Sequence, residues 1–200
     1  MIELVTFDLD GVLIKEYCWS SKLFEKHYGI PWQEFYAVLK KNKFLERKRN
    51  HGPTFKLMED LFDRYNVKIT EEKFWDIWLN NFESDKEIID LALKIKKSGK
   101  KIGIISDNPH ERADYLRENL KWIKEFNYTL FSSDFGVTKK NPKLFEILIE
   151  KSGLKPEEIF FTDDDEKNVE VARKSGINSE IYNNVKELKN KLEEFGIEIR

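Results

Sequence analysis

Two aspartates near the start of the chain have the spacing of a nucleophile and a proton donor. Asp8 and Asp10 follow an apolar run at residues 2–7 and are separated by one residue. In extended backbone, residues i and i+2 point to the same side, so both carboxyl groups face one site. One carboxylate can attack phosphorus as a covalent nucleophile. The other can give a proton to the leaving oxygen and later take one from water.

Polar side chains follow three further apolar runs, in one case after a short gap. Each run is predicted to be a strand, and binding sites in parallel sheets form at the carboxyl ends of the strands. Four strand ends are therefore expected to bring carboxylates, a hydroxyl and an ammonium to one edge of the sheet. Besides the first pair, the residues are Ser106, Asp107 and Asn108, then Thr138, Lys139 and Lys140, then Asp163, Asp164 and Asp165.

Clustered carboxylates repel one another in a partly buried site unless a cation lies among them. Mg2+ prefers octahedral oxygen coordination and usually keeps waters, which leaves room for a phosphate oxygen. A lysine supplies a second positive charge. Ser106 and the backbone N–H groups at the start of the following helix suit phosphate oxygens. The set predicts phosphoryl transfer with Mg2+ as cofactor and an anionic substrate.

The elements that must position these residues alternate regularly after Ser84. Ser84 and Glu87 fit a capping box before a helix, and Asn108 with the following proline fits another helix start. Strands alternating with helices predict an α/β fold with a Rossmann-like parallel sheet of about five strands, covered on both faces. The predicted strands span residues 2–7, 101–106, 128–131, 159–162 and 180–182, and the later helices span 85–97, 142–151, 166–175 and 185–195.

Residues 17–82 have a different pattern. Apolar and aromatic side chains recur there at helical spacing, which predicts about four short helices and no strand. We expect this segment to form an all-helical cap domain inserted after the first strand, while residues 1–16 and 83–200 form the catalytic core. Its aromatic residues are expected mainly to build the core of this small lobe: Trp32, Phe35, Tyr36, Trp75 and Trp78.

Four segments of the chain resemble, in order, the motifs of the haloacid dehalogenase superfamily of phosphatases. They are FDLDGVL at 7–13, ISDN at 105–108, GVTKKNPKLF at 136–145 and FTDDDEKNVEVARKSG at 161–176. The resemblance covers the whole chain. It implies a Rossmann-like core, a helical cap, a required Mg2+ and hydrolysis of a small phosphate monoester through an aspartyl-phosphate.

The resemblance also implies roles for the acidic residues. Asp8 would be the nucleophile and a metal ligand. Asp10 would be the acid/base and bind the metal through its backbone carbonyl. Asp164 would bind the metal directly, and Asp163 directly or through water. Asp165 fits better as the N-cap of the next helix.

The remaining implied roles concern the phosphoryl group. Ser106 would hold it, helped by the backbone of Asp107 and Asn108, and Lys139 would neutralise its charge and that of the nucleophile. Lys140 stands where the family usually has proline, so the two lysines compete for this role. Counting back from the start of the next helix puts Lys139 in register.

Three other functions are compatible with parts of the pattern. A phosphomutase would use the same motifs with a cap that excludes water. A 2-haloacid dehalogenase is disfavoured by Asp10, because displacing halide needs no proton donor. A receiver-like phospho-accepting module is disfavoured by the helical segment after the first strand. The chain lacks the Gly-x-Gly-x-x-Gly pattern of a nicotinamide-binding protein after that strand.

Composition narrows the class of partner. With Lys+Arg 35 against Asp+Glu 37, the net charge of -2 favours neither nucleic acid nor a membrane surface. The longest apolar runs are too short to cross a bilayer, and no secretory signal is recognised. The only cysteine, Cys18, cannot form an internal disulfide. These features predict a cytoplasmic protein that acts on a small phosphorylated molecule.

Overall fold

The computed structural model describes residues 1–16 and 20–197. The strands are β1 (Leu4–Phe7), β2 (Ile14–Glu16), β3 (Phe82–Ser84), β4 (Lys101–Ser106), β5 (Tyr128–Phe131), β6 (Ile159–Asp163) and β7 (Asn178–Ile181). The α-helices are α1 (Ser20–Tyr28), α2 (Trp32–Lys41), α3 (Glu59–Arg64), α4 (Glu71–Leu79), α5 (Lys86–Lys97), α6 (His110–Asn119), α7 (Ser132–Phe135), α8 (Pro142–Ser152), α9 (Glu166–Lys174) and α10 (Val185–Glu194).

Five strands form one parallel sheet in the order β5-β4-β1-β6-β7. β1 lies in the middle, with Phe7 beside Ile104 of β4 and Thr162 of β6. Because these registers bring the three central strands to an end at nearly the same level, the residues that follow them meet at one edge. The predicted α/β fold with a five-stranded parallel sheet is confirmed.

Helices cover both faces of this sheet, as the continuous apolar runs of its strands require. On one face, α5, α6 and α10 pack against β1 side chains such as Val5 and Phe7. On the other, α8 and α9 pack against Leu4, Ile105 and Phe161. The strand side chains alternate between the two clusters because successive residues of a strand point to opposite faces.

The described residues between β2 and β3, from Ser20 onwards, are mainly helical and have a hydrophobic cluster of their own. Here α1 to α4 are joined by three short 3-10 helices, at Phe44–Glu46, Arg49–His51 and Thr54–Met58. Phe74 lies at the centre of the cluster and is fully buried. Its ring centroid is 5.2 Å from that of Phe24 and 5.3 Å from that of Phe55. We call residues 20–81 the helical insertion.

The two chain segments that lead into and out of the helical insertion pair as an antiparallel ribbon, β2 with β3. The prediction of no strand within residues 17–82 was therefore wrong at Phe82, because a single apolar residue is too short a signal to mark a strand. The predicted capping box at Ser84 was also wrong. Asp85 caps α5 instead, its side chain accepting from the Glu87 N–H at 3.1 Å, and it pairs with Lys15 at 2.7 Å.

The other predicted strands and helices of the core were found with ends shifted by at most two residues. The division into a core and a cap domain at residues 17 and 82 stays a prediction. Tyr17 and Cys18, on which part of the boundary and of the cytoplasmic assignment depend, lie outside the described residues. Of the helices in residues 1–16 and 20–197, none has the length and apolar character needed to cross a bilayer.

Candidate active site

The carboxyl edge of the sheet opens into an acidic cleft of about 450 Å³. Seven of the eight residues predicted for the site line it, and the eighth, Asn108, borders it through a hydrogen bond to Ser106. The cleft is lined by Asp8, Asp10, Gly11, Ser106, Asp107, Lys139, Asp163, Asp164, Asp165 and Asn168.

Asp8 extends the central strand by one residue, its N–H donating to the Thr162 carbonyl at 2.9 Å. Its carboxylate accepts from the Leu9 N–H at 2.7 Å, which fixes one oxygen. Burial raises the pKa of the Asp8 carboxyl, and although Lys139 opposes this rise, nearby Asp163 adds to it. The site therefore favours a further cation beside Asp8, because a cation would restore the ionised form that a nucleophile needs.

Lys139 lies at the floor of the cleft between two carboxylates. Its Nζ is 2.6 Å from Asp8 Oδ1 and 2.6 Å from Asp163 Oδ2. Burial by itself would lower the pKa of Lys139, but the three carboxylates around the side chain raise this pKa by more. The side chain therefore stays an ammonium. The Lys139 N–H donates to Asp107 Oδ1 at 2.9 Å, which holds the loop in place. Lys140 is exposed, so of the two lysines it is Lys139 that the structure puts beside Asp8.

Three carboxylates form a group suited to a metal ion. Asp8, Asp163 and Asp164 each offer an oxygen, and these oxygens lie within 4.8 Å of one another. Burial raises the pKa of Asp164, and the charge of Asp163 adds to the rise. Oxygen donors with excess negative charge match the preference of a hard divalent cation. The residues present therefore fit the Mg2+ that the sequence predicts.

Gly11 makes room for the Asp164 carboxylate. Its φ of +90° is in the region that favours glycine, and a Cβ at this position would collide with the Asp164 carboxyl group. Asp165, by contrast, caps α9 by accepting from the Lys167 N–H at 2.9 Å. The prediction of a capping role for Asp165 is confirmed.

Asp10 is held by two residues of the loop and helix that follow β4. Arg112 donates to both of its carboxylate oxygens, and Asn108 Nδ2 donates to Asp10 Oδ2 at 2.8 Å. Burial by itself would raise the pKa of Asp10. The Arg112 guanidinium and Asn108 outweigh this effect and hold the pKa below its usual range. Asp10 also lies at the boundary of a second cavity, described below.

The structure uses Asn108 differently from its predicted roles. It does not cap α6, whose N-cap is Pro109 without a side-chain hydrogen bond. Its N–H, expected to bind a phosphate oxygen, donates to Ser132 Oγ at 3.1 Å. Its amide instead joins Ser106 and Asp10, at 2.9 Å and 2.8 Å. The sequence places Asn108 at the site, but only tertiary contacts decide which group each of its atoms binds.

Two further residues of the site were not predicted. Arg112 lies four residues after Asn108, one helical turn along, which was the signal available for it. Asn168 is buried in the cleft and its Nδ2 donates to Asp163 Oδ2 at 3.1 Å. It lies in the first turn of the helix that Asp165 caps, so it faces back towards the strand end. Neither residue belongs to the strand-end pattern from which the site was predicted.

A second cavity of about 290 Å³ separates the acidic cleft from the helical insertion. Tyr36 and Trp78 line it, whereas Phe35 lies inside the hydrophobic cluster of the helical insertion. Mostly polar residues on the core side face mostly apolar and aromatic residues on the helical side, where Ser20 and Ser21 are the polar exceptions. The cavity is lined by Asp10, Ser20, Ser21, Tyr36, Leu39, Phe44, Leu45, Trp78, Asp107, Asn108, Pro109 and Arg112.

A family model described as a haloacid dehalogenase-like hydrolase matches residues 2–176. The chain is 24% identical over 184 residues to a phosphorylated carbohydrates phosphatase of Thermotoga maritima, covering 88% of this chain and 82% of the relative. It is 22% identical over 121 residues to the phosphoglycolate phosphatase of Escherichia coli K12. That alignment covers 60% of this chain and 45% of the relative, so the chain spans less than half of the second protein.

Solved structures of similar fold include a HAD family enzyme from Bacteroides thetaiotaomicron in complex with magnesium and inorganic phosphate. Its TM-score is 0.75 at 20% identity, covering 94% of this chain and 99% of that one. The L-2-haloacid dehalogenase of Xanthobacter autotrophicus has a TM-score of 0.65 at 16% identity, covering 99% of this chain and 85% of that one. At these identities the likeness concerns the fold.

Proposed function

The chain belongs to the haloacid dehalogenase-like hydrolase family, and from this premise we propose that it hydrolyses a small phosphate monoester through a phosphorylated Asp8. The observation that carries the proposal is the pairing of Asp8 with Lys139 at 2.6 Å on the floor of an acidic cleft. Ser106 and Asp10 line the same cleft. Such a site can hold a phosphoryl group, neutralise its charge and present a nucleophile to it.

Mg2+ is the cofactor that we propose, with Asp8, Asp163 and Asp164 as the side chains that would hold it. When bound, the ion would supply the positive charge that offsets the phosphate oxygens and keeps the Asp8 carboxyl ionised. Asn168 and the Asp165 N–H already donate to the carboxylate of Asp163, at 3.1 Å and 2.8 Å, and so orient it.

In the first half of the proposed reaction, an Asp8 oxygen bonds to phosphorus and the bond from phosphorus to the leaving oxygen breaks. Asp10 in its protonated form gives a proton to that oxygen. Arg112 and Asn108 favour the ionised form in the free site, so Asp10 would take up this proton as the anionic substrate binds beside it. Lys139 offsets charge on Asp8 and on the transferring group, and the Ser106 hydroxyl donates to a phosphoryl oxygen.

In the second half, a water oxygen bonds to phosphorus and the bond to Asp8 breaks, its electron pair returning to the carboxylate. Asp10 takes the proton that the water loses. Inorganic phosphate leaves, and Asp8 and Asp10 are as they were at the start.

The second cavity would hold the leaving group, because it adjoins Asp10 on the side away from the sheet. At about 290 Å³ it suits a leaving group of a few carbon atoms. A small phosphorylated molecule, such as a sugar phosphate or phosphoglycolate, is the substrate class that we propose. The names of the two phosphatase relatives support this class.

Of the two enzymatic alternatives, the site supports a 2-haloacid dehalogenase less than a phosphomutase. Halide departs without a proton, yet Asp10 is held in this site by two donors, Asn108 and Arg112. A receiver-like module is disfavoured by membership of a hydrolase family. A phosphomutase would use the same groups, and the products distinguish it.

The proposal is tested by measuring release of inorganic phosphate from an aryl phosphate, sugar phosphates, phosphoglycolate and nucleotides. Protein stripped of metal by a chelator is assayed before and after Mg2+ is added. We expect turnover that depends on Mg2+ for at least one substrate. Isomerisation of a sugar phosphate without phosphate release would indicate the mutase, and halide release from a 2-haloacid the dehalogenase. A folded, Mg2+-loaded protein that releases phosphate from none of these substrates contradicts the proposal.

A further inference from the structure

Arg112 binds the carboxylate of Asp10 through two parallel hydrogen bonds. Arg112 Nη1 lies 2.5 Å from Asp10 Oδ2, and Nη2 lies 2.6 Å from Asp10 Oδ1. The arginine side chain is 4% exposed and the aspartate side chain 26%. A guanidinium that engages both oxygens fixes the plane of a carboxylate as well as its position, which a single donor cannot do.

Arg112 is itself held from two sides. Its Nη1 also donates to Asn108 Oδ1 at 2.5 Å, and its guanidinium carbon lies 5.8 Å from the ring centroid of Phe82 in β3. Asn108 in turn donates to Ser106 Oγ at 2.9 Å. The orientation of Asp10 is therefore tied to α6, to the β2–β3 ribbon and to the residue proposed to hold the phosphoryl group.

Asp10 lies where the two cavities meet, since it lines both the acidic cleft and the cavity under the helical insertion. In the proposed reaction the leaving oxygen departs across this boundary, and the hydrolytic water must then approach phosphorus from the same side. A carboxylate that turned away from the boundary could not reach the proton of that water, because proton transfer needs hydrogen-bond contact.

We infer that Arg112 is a positioning residue that keeps the carboxylate of Asp10 facing the water which hydrolyses phosphorylated Asp8. The inference rests on the proposed function. The two-point contact fits the ionised carboxylate, which is the form of Asp10 after it has given its proton to the leaving group. In the step concerned, the water oxygen bonds to phosphorus, the bond from phosphorus to Asp8 breaks, and the proton of the water moves to Asp10.

The test compares the two half-reactions in Arg112→Met, using an aryl phosphate. An aryl oxide leaves readily without a proton, so kcat/KM, which reports steps up to its departure, is expected to stay within about threefold of wild type. The value of kcat is expected to fall about tenfold or more, because general base catalysis typically contributes about 10²–10⁴-fold. Phosphorylated protein is expected to accumulate, measured as acid-quenched label that hydroxylamine releases.

Arg117→Met is the matched control. Arg117 lies on the same helix and pairs with Asp134, but it makes no contact with Asp10 among the interactions described. Both kinetic parameters should stay near wild type in this variant, and no phosphorylated protein should accumulate.

Arg112→Lys provides a second variant that keeps a positive charge beside Asp10. We expect it to fold and to accumulate phosphorylated protein, because an ammonium cannot bridge both oxygens in the plane of the carboxylate. If Arg112→Met does not fold, this variant carries the test.

An equal fall of kcat and kcat/KM without phosphorylated protein would overturn the inference, as would wild-type kcat in Arg112→Lys. If wild-type protein turns over no phosphate ester and forms no phosphorylated species, the proposed function itself has failed. The two failures are therefore distinguished by the wild-type measurements.

Discussion

The carboxyl edge of the sheet is held together mainly by polar side chains, whereas the helical insertion is held together mainly by aromatic ones. At the sheet edge, charged and amide side chains hold one another in place: Lys139 contacts two carboxylates, and Arg112 contacts a third. In the helical insertion, rings pack on rings around Phe74, with stacked and edge-on contacts such as Phe24 with Phe35 at 4.5 Å. One region specifies position through directional polar contacts, and the other through the volume of its side chains.

This difference shows how the two regions contribute to a shared site. The sheet edge provides the groups that would act on phosphorus, whereas the helical insertion closes the second cavity with Tyr36 and Trp78. Polar contacts join them where Ser132 Oγ donates to the Leu45 carbonyl and where the Thr54 N–H donates to Glu111. Substitutions in the first region should change chemistry before stability, and substitutions in the second should do the reverse.

The largest effect is expected for Asp8→Asn, which tests the chemical half of this comparison. The amide cannot serve as the nucleophile, so turnover should fall by at least about 10³-fold while the fold is kept. Activity on the best substrate and the thermal midpoint are both measured. Asp165→Asn is the control, because it removes a charge from the same cleft but can still cap α9, and it should keep most activity. Full activity in Asp8→Asn, or its unfolding, would break the comparison.

Phe74→Ala tests the packing half. Removing a fully buried ring from the centre of the cluster should cost about 3–5 kcal/mol of stability. The loss should appear first in the helical insertion, detected as an earlier change of tryptophan fluorescence on urea titration, since Trp32, Trp75 and Trp78 belong to it. Phe145→Ala, a fully buried ring on the core side, is the control and should destabilise the sheet and site together. Identical unfolding curves for the two variants would contradict independent packing of the two regions.

Gly11→Ala tests whether the backbone at Gly11 positions Asp164, one of the proposed metal ligands at the sheet edge. The new Cβ would displace the Asp164 carboxylate, and we expect about tenfold more Mg2+ for half-maximal effect, in the range known for changes around metal ligands. The shift of thermal midpoint with Mg2+ concentration measures this Mg2+ requirement without an assay of activity.

Gly153→Ala is the control. Gly153 also has a positive φ, of +66°, but nothing lies near the position of a Cβ there. It should lose stability while its Mg2+ dependence stays that of wild type; equal Mg2+ dependence in both variants would remove the proposed role of Gly11.

The smallest effect is expected at a contact between the two regions. Asp134 of α7 pairs with Arg117 and with Arg49 of the helical insertion. Burial by itself would raise the pKa of Asp134. The two arginines outweigh this effect and hold the pKa below its usual range. Because the folded pKa lies below the unfolded one, the stabilisation is present above about pH 4 and is lost as pH falls further.

Asp134→Asn should therefore cost about 1 kcal/mol at neutral pH. The difference from wild type, measured by urea denaturation, should shrink below about pH 4. A difference that is as large at pH 3 as at pH 7 would show that charge is not what joins the regions here.

Much of this protein could be predicted from its sequence because the information is local. An apolar run that ends in Asp8-x-Asp10, or in Ser106, marks both a buried strand and the polar group at its end. A parallel sheet brings such ends together whatever the details of packing. The five-stranded sheet and the set of residues around the cleft follow from that rule, as does Lys139 once its position relative to the next helix is counted.

Only the tertiary structure decided which atoms meet. Arg112 and Asn168 lie on helices, and whether a helical side chain reaches a strand end depends on how the helix packs on the sheet, which the sequence nearby does not encode. The same holds for Asn108, whose amide joins Ser106 and Asp10 instead of capping α6. Hydrogen bonds between residues distant in sequence depend on distances of a few tenths of an ångström, and those are set by the packing of the whole core.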